Sequence, residues 1–299
     1  MKLNGTYGEF GFEEGIFPRT YQFLESQNIK ETERLPSIWR QNNLVLKATC
    51  EWEDYVVKKI NSGEANGEIN RVKLMRKTYP AITPKLFIIE GTDCYTMNYI
   101  RGKSFFNLNE DEKVEKIGLA GKVLNEAYFS EESGQTDISI QVRNGFLRYR
   151  EKRKQYFDED ELRLCEGYFN IFKTVPNKPS HNDLNAANLI YNGDIKLIDP
   201  SEEGYDDVAR DIGRYCASCF FNNYDYFGNN KSHSIEIAGS FLKSFDEPTL
   251  KRAKYYVGES FLSFLGFNTK TTEKSVLKKL CINMLTIDDQ ILNIMEKSL

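Results

Sequence analysis

The segment Pro179-Ser180-His181-Asn182-Asp183-Leu184-Asn185-Ala186-Ala187-Asn188-Leu189-Ile190-Tyr191 runs through Asn192-Gly193 into Asp194-Ile195-Lys196-Leu197-Ile198-Asp199, and its reading decides the fold. Asn-Gly between two apolar runs is the strongest short hairpin signal, because both central positions of the turn call for a positive φ. Such a turn sets Tyr191 opposite Asp194, Ile190 opposite Ile195 and Asn188 opposite Leu197. Side chains alternate along a strand, so Asn188, Ile190, Ile195, Leu197 and Asp199 share one face. Asn188 and Asp199 then meet at the open end of the hairpin, roughly 7 Å apart on the diagonal. An amide oxygen and a carboxylate at that spacing suit a magnesium ion whose octahedron is completed by phosphate oxygens and water. Asp183 enters the same end of the hairpin. A carboxylate there can accept the proton of an attacking hydroxyl, or orient that hydroxyl in line with a terminal phosphate. Three polar groups on an otherwise apolar hairpin make poor core residues, which favours a chemical role for all three.

The surrounding chain has 299 residues, enough for two domains or one two-lobed unit at about 150 residues each. Hydrophobic residues make up 40% and charged residues 28%, a balance that builds a core and excludes a disordered chain. Lys+Arg 40 against Asp+Glu 44 leaves a net charge of −4, which argues against a nucleic-acid partner. No apolar run reaches the length of a membrane span, and Met1–Phe10 lacks the apolar core of a signal peptide. The expectation is a cytoplasmic chain with no membrane partner and six reduced cysteines. Cys216 and Cys219 have the spacing of a zinc or redox pair, but no second pair accompanies them. They read as the inner face of a helix, one turn apart. The acidic excess is concentrated: Asp199, Glu202, Glu203, Asp206, Asp207 and Asp211 share their stretch with one base, Arg210.

Upstream, Leu44–Cys50 and Tyr55–Ile60 read as strands, with a further strand at Pro36–Arg40 turning at Gln41-Asn42-Asn43. Residues 68–79 carry helical spacing through Ile69, Val72 and Met75, and Pro80 stops them. Lys85–Glu90 and Tyr95–Ile100 are two more short strands. After Arg101-Gly102 the character changes to helix. Asn109 followed by Glu112 is a capping box for a helix through Tyr128. The charged stretch 148–161 reads as a solvated helix face. It leads into a helix with Leu162, Cys165, Phe169 and Phe172 inward, and helices continue from Glu247. The expected fold class is therefore α+β: residues 1–100 form a small antiparallel-sheet lobe with one main helix, and residues 101–299 a larger, mostly helical lobe.

The spacing His181-x-Asp183-(four residues)-Asn188, followed by Ile198-Asp199, resembles the catalytic core of the aminoglycoside phosphotransferase and choline kinase family, whose fold is protein-kinase-like. Gly204-Tyr205-x-Asp207 and Asp211-Ile212-Gly213 fall where that family carries its later aspartates. The resemblance implies ATP, with GTP left open, and Mg2+ as cofactors, with a small-molecule hydroxyl as acceptor. It makes Asp183 the catalytic base, Asn188 and Asp199 the metal ligands and Asp211 a brace for the loop, with His181 packed beneath it. Tyr55-Val56-Val57-Lys58-Lys59 resembles the strand that presents lysine to the phosphates. Lys58 is preferred to Lys59, and Glu68 to Glu64 as its helix partner. Asn98, Tyr99 and Ile100 are similar to the hinge that holds adenine. Glu202, Glu203, Asp206 and Asp207 form an acidic edge open to a cationic acceptor, such as an amino sugar or a choline-like amine. Tyr224, Asp225, Tyr226, Phe227, Tyr255, Tyr256 and Glu259 either line the acceptor pocket or belong to a helical core with a wet edge. Three departures stand out: no glycine in Gln41-Asn42-Asn43, Asn182 where glycine is usual, and Pro200 after the metal aspartate. The last, with no Ala-Pro-Glu, separates the chain from conventional protein kinases. An atypical protein kinase and an inactive kinase-like binding module are the competing readings.

Overall fold

The computed structural model describes residues 17–35, 44–60, 65–130, 133–156, 160, 165–201, 204, 206–222, 225–226, 231–266 and 271–298. The expected strand at 36–40 with its turn at 41–43, the acids Glu202 and Glu203, and the aromatics Tyr224 and Phe227 lie outside them. The chain divides into two compact units, Met1–Gly102 with Asn192–Glu202, and Lys103–Tyr191 with Glu203–Leu299.

In the first unit, β1 (Glu31–Arg34), β2 (Leu44–Thr49), β3 (Asp54–Lys59), β4 (Leu86–Glu90) and β5 (Cys94–Asn98) form one antiparallel sheet in the order β1-β2-β3-β5-β4. Helix α1 (Pro18–Ser26) covers one face of the sheet. Phe17 and Leu24 pack there with Leu46, Tyr55 and Val57. Helix α2 (Ala65–Thr78) lies on the opposite face, where Ile69 and Val72 join Ile60 and Tyr95. Because β3 is central and covered on both sides, alternation sends Tyr55 and Val57 toward α1 and leaves Val56 and Lys58 for the face of α2. Local spacing gave no sign of α1. Its N-terminal N–H groups are satisfied from far away in sequence, Arg19 and Thr20 each donating to the Glu90 carboxylate at 2.9 Å.

In the second unit, β6 (Lys103–Ser104) pairs with β9 (Leu189–Tyr191), and β7 (Gln135–Thr136) with β8 (Val175–Pro176). Helix α3 (Glu110–Phe129) starts where Asn109 Oδ1 accepts the Glu112 N–H at 2.8 Å. Helix α4 spans Ser139–Arg153, so the basic part of the charged stretch is helical. The helix expected from Leu162 is a 3-10 segment over Cys165–Phe172, and Phe172 is buried there. Helices α5 (Val208–Ser218), α6 (Lys231–Leu242), α7 (Glu247–Phe264), α8 (Thr271–Thr286) and α9 (Ile291–Ser298) complete the unit.

The Asn-Gly turn differs from the expected one. Only Gly193, at φ +98°, enters the left-handed region; Asn192 does not, and its N–H donates to the Asp194 carbonyl at 3.2 Å. The Asn192 side chain takes over part of the turn by accepting the Asp194 N–H at 3.3 Å. Strand β10 (Ile195–Leu197) follows within the first unit, where the Leu197 N–H donates to Ile82 O at 2.7 Å. The cysteine pair sits as the helical reading has it. Cys216 is buried on α5 and Cys219 caps that helix, its thiol pushed up to about 12 by burial.

Helix α5 approaches α7 closely at Gly213, where an added Cβ would lie 2.5 Å from the Ala253 carbonyl and 2.7 Å from Tyr256 Cβ. Backbone cannot retreat there without separating the two helices. We expect Gly213→Ala to cost about 1–3 kcal/mol, read as a lower denaturant midpoint at unchanged slope.

Candidate active site

The two units each present a cluster of residues singled out from the sequence. In the first, Lys58 is buried on β3, and its Nζ lies 2.8 Å from Glu68 Oε1 on α2. It also bonds Asp199 Oδ1. Glu68 accepts in addition from the Tyr95 hydroxyl at 3.0 Å, which fixes the carboxylate from its other side. Lys59 points to the opposite face and stands over the Phe17 ring, 5.2 Å from its centroid. Burial works to lower the Lys58 pKa, but the Asp199 and Glu68 carboxylates outweigh it, and the net direction is upward from 10.5. Asp199 lies beyond the end of β10 at φ +60°, a left-handed conformation that costs a non-glycine residue energy and that the contact with Lys58 helps to hold.

The hinge candidates follow the end of β5. The Tyr99 N–H donates to Asp54 O at 2.8 Å, and the Asn98 N–H donates to Lys85 O at 3.0 Å. The Asn98 side chain also accepts from the Lys85 N–H. Lys47 stands over the Tyr99 ring at 5.1 Å. Ile100 lies just past the strand and is half-buried.

In the second unit, the loop over residues 180–188 is organised around Asp211. This carboxylate, fully buried in the first turn of α5, accepts the His181 N–H at 2.7 Å and the Asn182 N–H at 2.7 Å. It also accepts from the Ser180 hydroxyl at 3.0 Å and the Tyr128 hydroxyl at 2.8 Å. His181 is 1% exposed, and its Nδ1 accepts the Asp183 N–H at 3.3 Å, so the imidazole supports the loop from below. Asn182 sits at φ +66°, which explains why a glycine position tolerates asparagine: Asn is among the few L-residues that enter this region readily. Its Oδ1 accepts from Arg210 at 2.9 Å. Gly204 is required beside this pair, since a Cβ there would lie 1.6 Å from Arg210 and 2.1 Å from Asn182 Oδ1.

With the loop fixed, the Asp183 side chain projects outward and is 39% exposed. Asn188 Nδ2 donates to the Asp183 carbonyl at 2.9 Å and, more weakly, to Asp183 Oδ2 at 3.3 Å. The amide nitrogen is thereby committed to the loop, leaving the Asn188 oxygen as the group to offer a cation. In the first unit, the Asp199 carboxylate is half-exposed; each of these oxygens is by itself a hard donor of the kind Mg2+ takes.

Other candidates are structural. Asp207 is fully buried, caps α5 through the Ala209 N–H at 3.1 Å, and pairs with Arg252 at 3.1 Å. It is therefore not part of an acidic edge. Tyr255 and Tyr256 are also fully buried, and Glu259 is buried 3.6 Å from Arg210, so these three belong to the helical core. Sequence reasoning missed Arg214, whose Nη2 donates to Asp183 Oδ1 at 2.9 Å. One helical turn separates Arg214 from Asp211, and that spacing was the available signal.

No family model and no curated protein sequence matches the chain. Solved structures do. An aminoglycoside phosphotransferase, a thermostable mutant in its apo form, superposes with a TM-score of 0.60 at 14% identity over 89% of this chain and 97% of its own. A streptomycin–ATP ternary complex of another aminoglycoside phosphotransferase gives 0.55 at 18% identity over 90% and 98%. The choline kinase of Streptococcus pneumoniae gives 0.56 at 13% identity over 89% and 96%. The fold is theirs. It is α+β and protein-kinase-like, as the loop and strand pattern led us to expect.

The Lys58 pairing makes a pH prediction. A group whose folded-state pKa is raised contributes stability that is complete below its unfolded value and is lost as pH rises through the folded one. Wild type should therefore lose more stability than Lys58→Met as pH climbs past 10.5. Denaturant titrations on either side of that value check it, and equal losses in both proteins would refute it.

Proposed function

We propose that the chain is an ATP- and magnesium-dependent phosphotransferase that moves the γ-phosphate to a hydroxyl of a small molecule, working in the cytoplasm. The observation that carries this reading is the exposed Asp183 carboxylate on a loop whose backbone is pinned by the buried Asp211. Ordered backbone and an open carboxylate together are what a positioned base requires, and a purely structural aspartate has no use for them. The buried Lys58–Glu68 pair supports the same reading, because it holds an ammonium in one place on the sheet for a phosphate to meet.

In the proposed reaction the acceptor oxygen forms a bond to the γ-phosphorus while its proton passes to Asp183. The bond from that phosphorus to the β,γ-bridging oxygen breaks, and ADP leaves with the electron pair. Lys58 binds phosphate oxygens and Glu68 keeps it in place. Asn98, Tyr99 and Ile100 are the proposed contacts of the adenine. Asn188 and Asp199 would hold magnesium, which when bound neutralises the phosphate oxygens. His181 and Asp211 shape the loop and do not touch the reacting atoms. The resemblance offers amino sugars, choline-like amines and sugars as acceptors. Among the described residues no helix is long and apolar enough to cross a membrane.

Asp183→Asn should lower turnover by about 10²–10⁴-fold, the usual contribution of a positioned base, while stabilisation by magnesium–ATP in a melting experiment persists. A variant keeping most of its activity would remove Asp183 from the chemistry. A wild-type protein that no nucleotide stabilises would favour the binding module.

A further inference from the structure

Arg214 has no part in the reaction as written above, yet it sits on the proposed base. Its Nη2 holds Asp183 Oδ1 at 2.9 Å, and the two side chains are 27% and 39% exposed. A guanidinium carries five N–H donors, and among the described residues this is the one hydrogen bond that the Arg214 side chain makes. An ion pair so open to water adds little stability, so folding alone does not account for it. The other arginines of the region are committed internally: Arg210 is buried against Asn182 and Glu259, and Arg252 is buried against Asp207.

Among the described residues, the charged side chain in contact with Asp183 is a cation, Arg214. Asp207 is neutralised by Arg252, and Asp211 spends its lone pairs on loop and side-chain donors. Glu259 is in the field of Arg210, Arg214 and Arg148, and burial pushes its carboxyl up against their pull. Arg214 is thus shared between the exposed Asp183 carboxylate, which it contacts, and the field of the buried Glu259.

The two oxygens of Asp183 divide naturally. Oδ1 is taken by Arg214, while among the described residues Oδ2 has the long contact from Asn188 at 3.3 Å and is the oxygen for a hydroxyl. We infer that the acceptor carries a carboxylate or phosphate close to its reacting hydroxyl, and that Arg214 binds this anion with its open donors while Asp183 Oδ2 takes the hydroxyl. The inference rests on the phosphotransferase reading and narrows its acceptor from amines to acids. A planar guanidinium suits this role, since it engages both oxygens of such a group at once.

The test uses matched acceptors differing in charge: glucose, glucosamine and glucuronate, then glycerol, choline and glycerate. ADP release is followed with magnesium–ATP for wild type, Arg214→Gln and Arg214→Lys. Wild type should prefer an acidic member. Arg214→Gln should raise KM for that member by about ten- to a hundredfold, the worth of a charge-assisted bond, and shift the neutral member far less. Arg214→Lys, which keeps the charge, should recover part of the preference.

A wild-type preference for the amine, or ADP release on a neutral or amine member but on no acidic one, overturns the inference. So does an equal loss on every acceptor in Arg214→Gln, which would mean that Arg214 serves the transferred phosphoryl group. Failure of the phosphotransferase reading itself looks different, with no ADP release on any compound and no stabilisation by magnesium–ATP.

Discussion

A single buried carboxylate, Asp211, is the constraint on which the loop over residues 180–188 depends. Taking an ion out of water is costly, and a carboxylate in the interior survives only if hydrogen-bond donors replace the lost solvent. Asp211 finds four: the N–H groups of His181 and Asn182 and the hydroxyls of Ser180 and Tyr128. Two of these are backbone, so the same bonds that make the charge tolerable also dictate the path of the loop. The direction of Asp183 follows from that path. Asp211 thus fixes where the backbone runs, and α3, α5 and the loop are tied together through it.

The first unit rests on a simpler rule. Strand β3 lies between β2 and β5 with a helix on each face, so successive residues are delivered to different helices. Lys58 goes to α2 and finds Glu68; Lys59 goes to α1 and finds Phe17. A shift of one residue along the strand would exchange them and leave Glu68 buried without its cation. The apolar pattern of the strand and the position of its charge therefore have to agree, and Tyr55-Val56-Val57-Lys58 satisfies both requirements at once.

What was legible in the sequence is what local rules control. The cap at Asn109, the alternation of β2, the spacing of α2 and the opposite faces taken by Lys58 and Lys59 each depend on residues a few positions apart, and each was readable. Helix α1 was not, because its N-terminus is satisfied by Glu90, some seventy residues away. The turn at Asn192-Gly193 was readable in place but not in detail, since the Asn192 side chain substitutes for a backbone conformation. The 3-10 segment at Cys165–Phe172 keeps Phe169 and Phe172 inward without the α-helix that their spacing favoured. Arg214 escaped notice because a lone arginine on a helix is ordinarily solvated, and its partner is set by how α5 meets the loop.

The acidic tail shows most plainly why composition and surface charge are different quantities. Counted along the chain, the stretch from Asp199 to Asp211 reads as an invitation to a cation. Folded, Asp199 is bound to Lys58, Asp207 to Arg252 and Asp211 to loop N–H groups, so each is spoken for within its own unit. For Asp207 and Asp211, burial strengthens these pairings because little water remains to screen them, and it shields their charge from an approaching molecule. The arginines are not symmetrically consumed. Arg210 and Arg252 disappear into the network, but Arg214 stays open at its edge, next to the one carboxylate of the loop that faces solvent. In a chain of net charge −4, the charged side chain that contacts that carboxylate is therefore a cation.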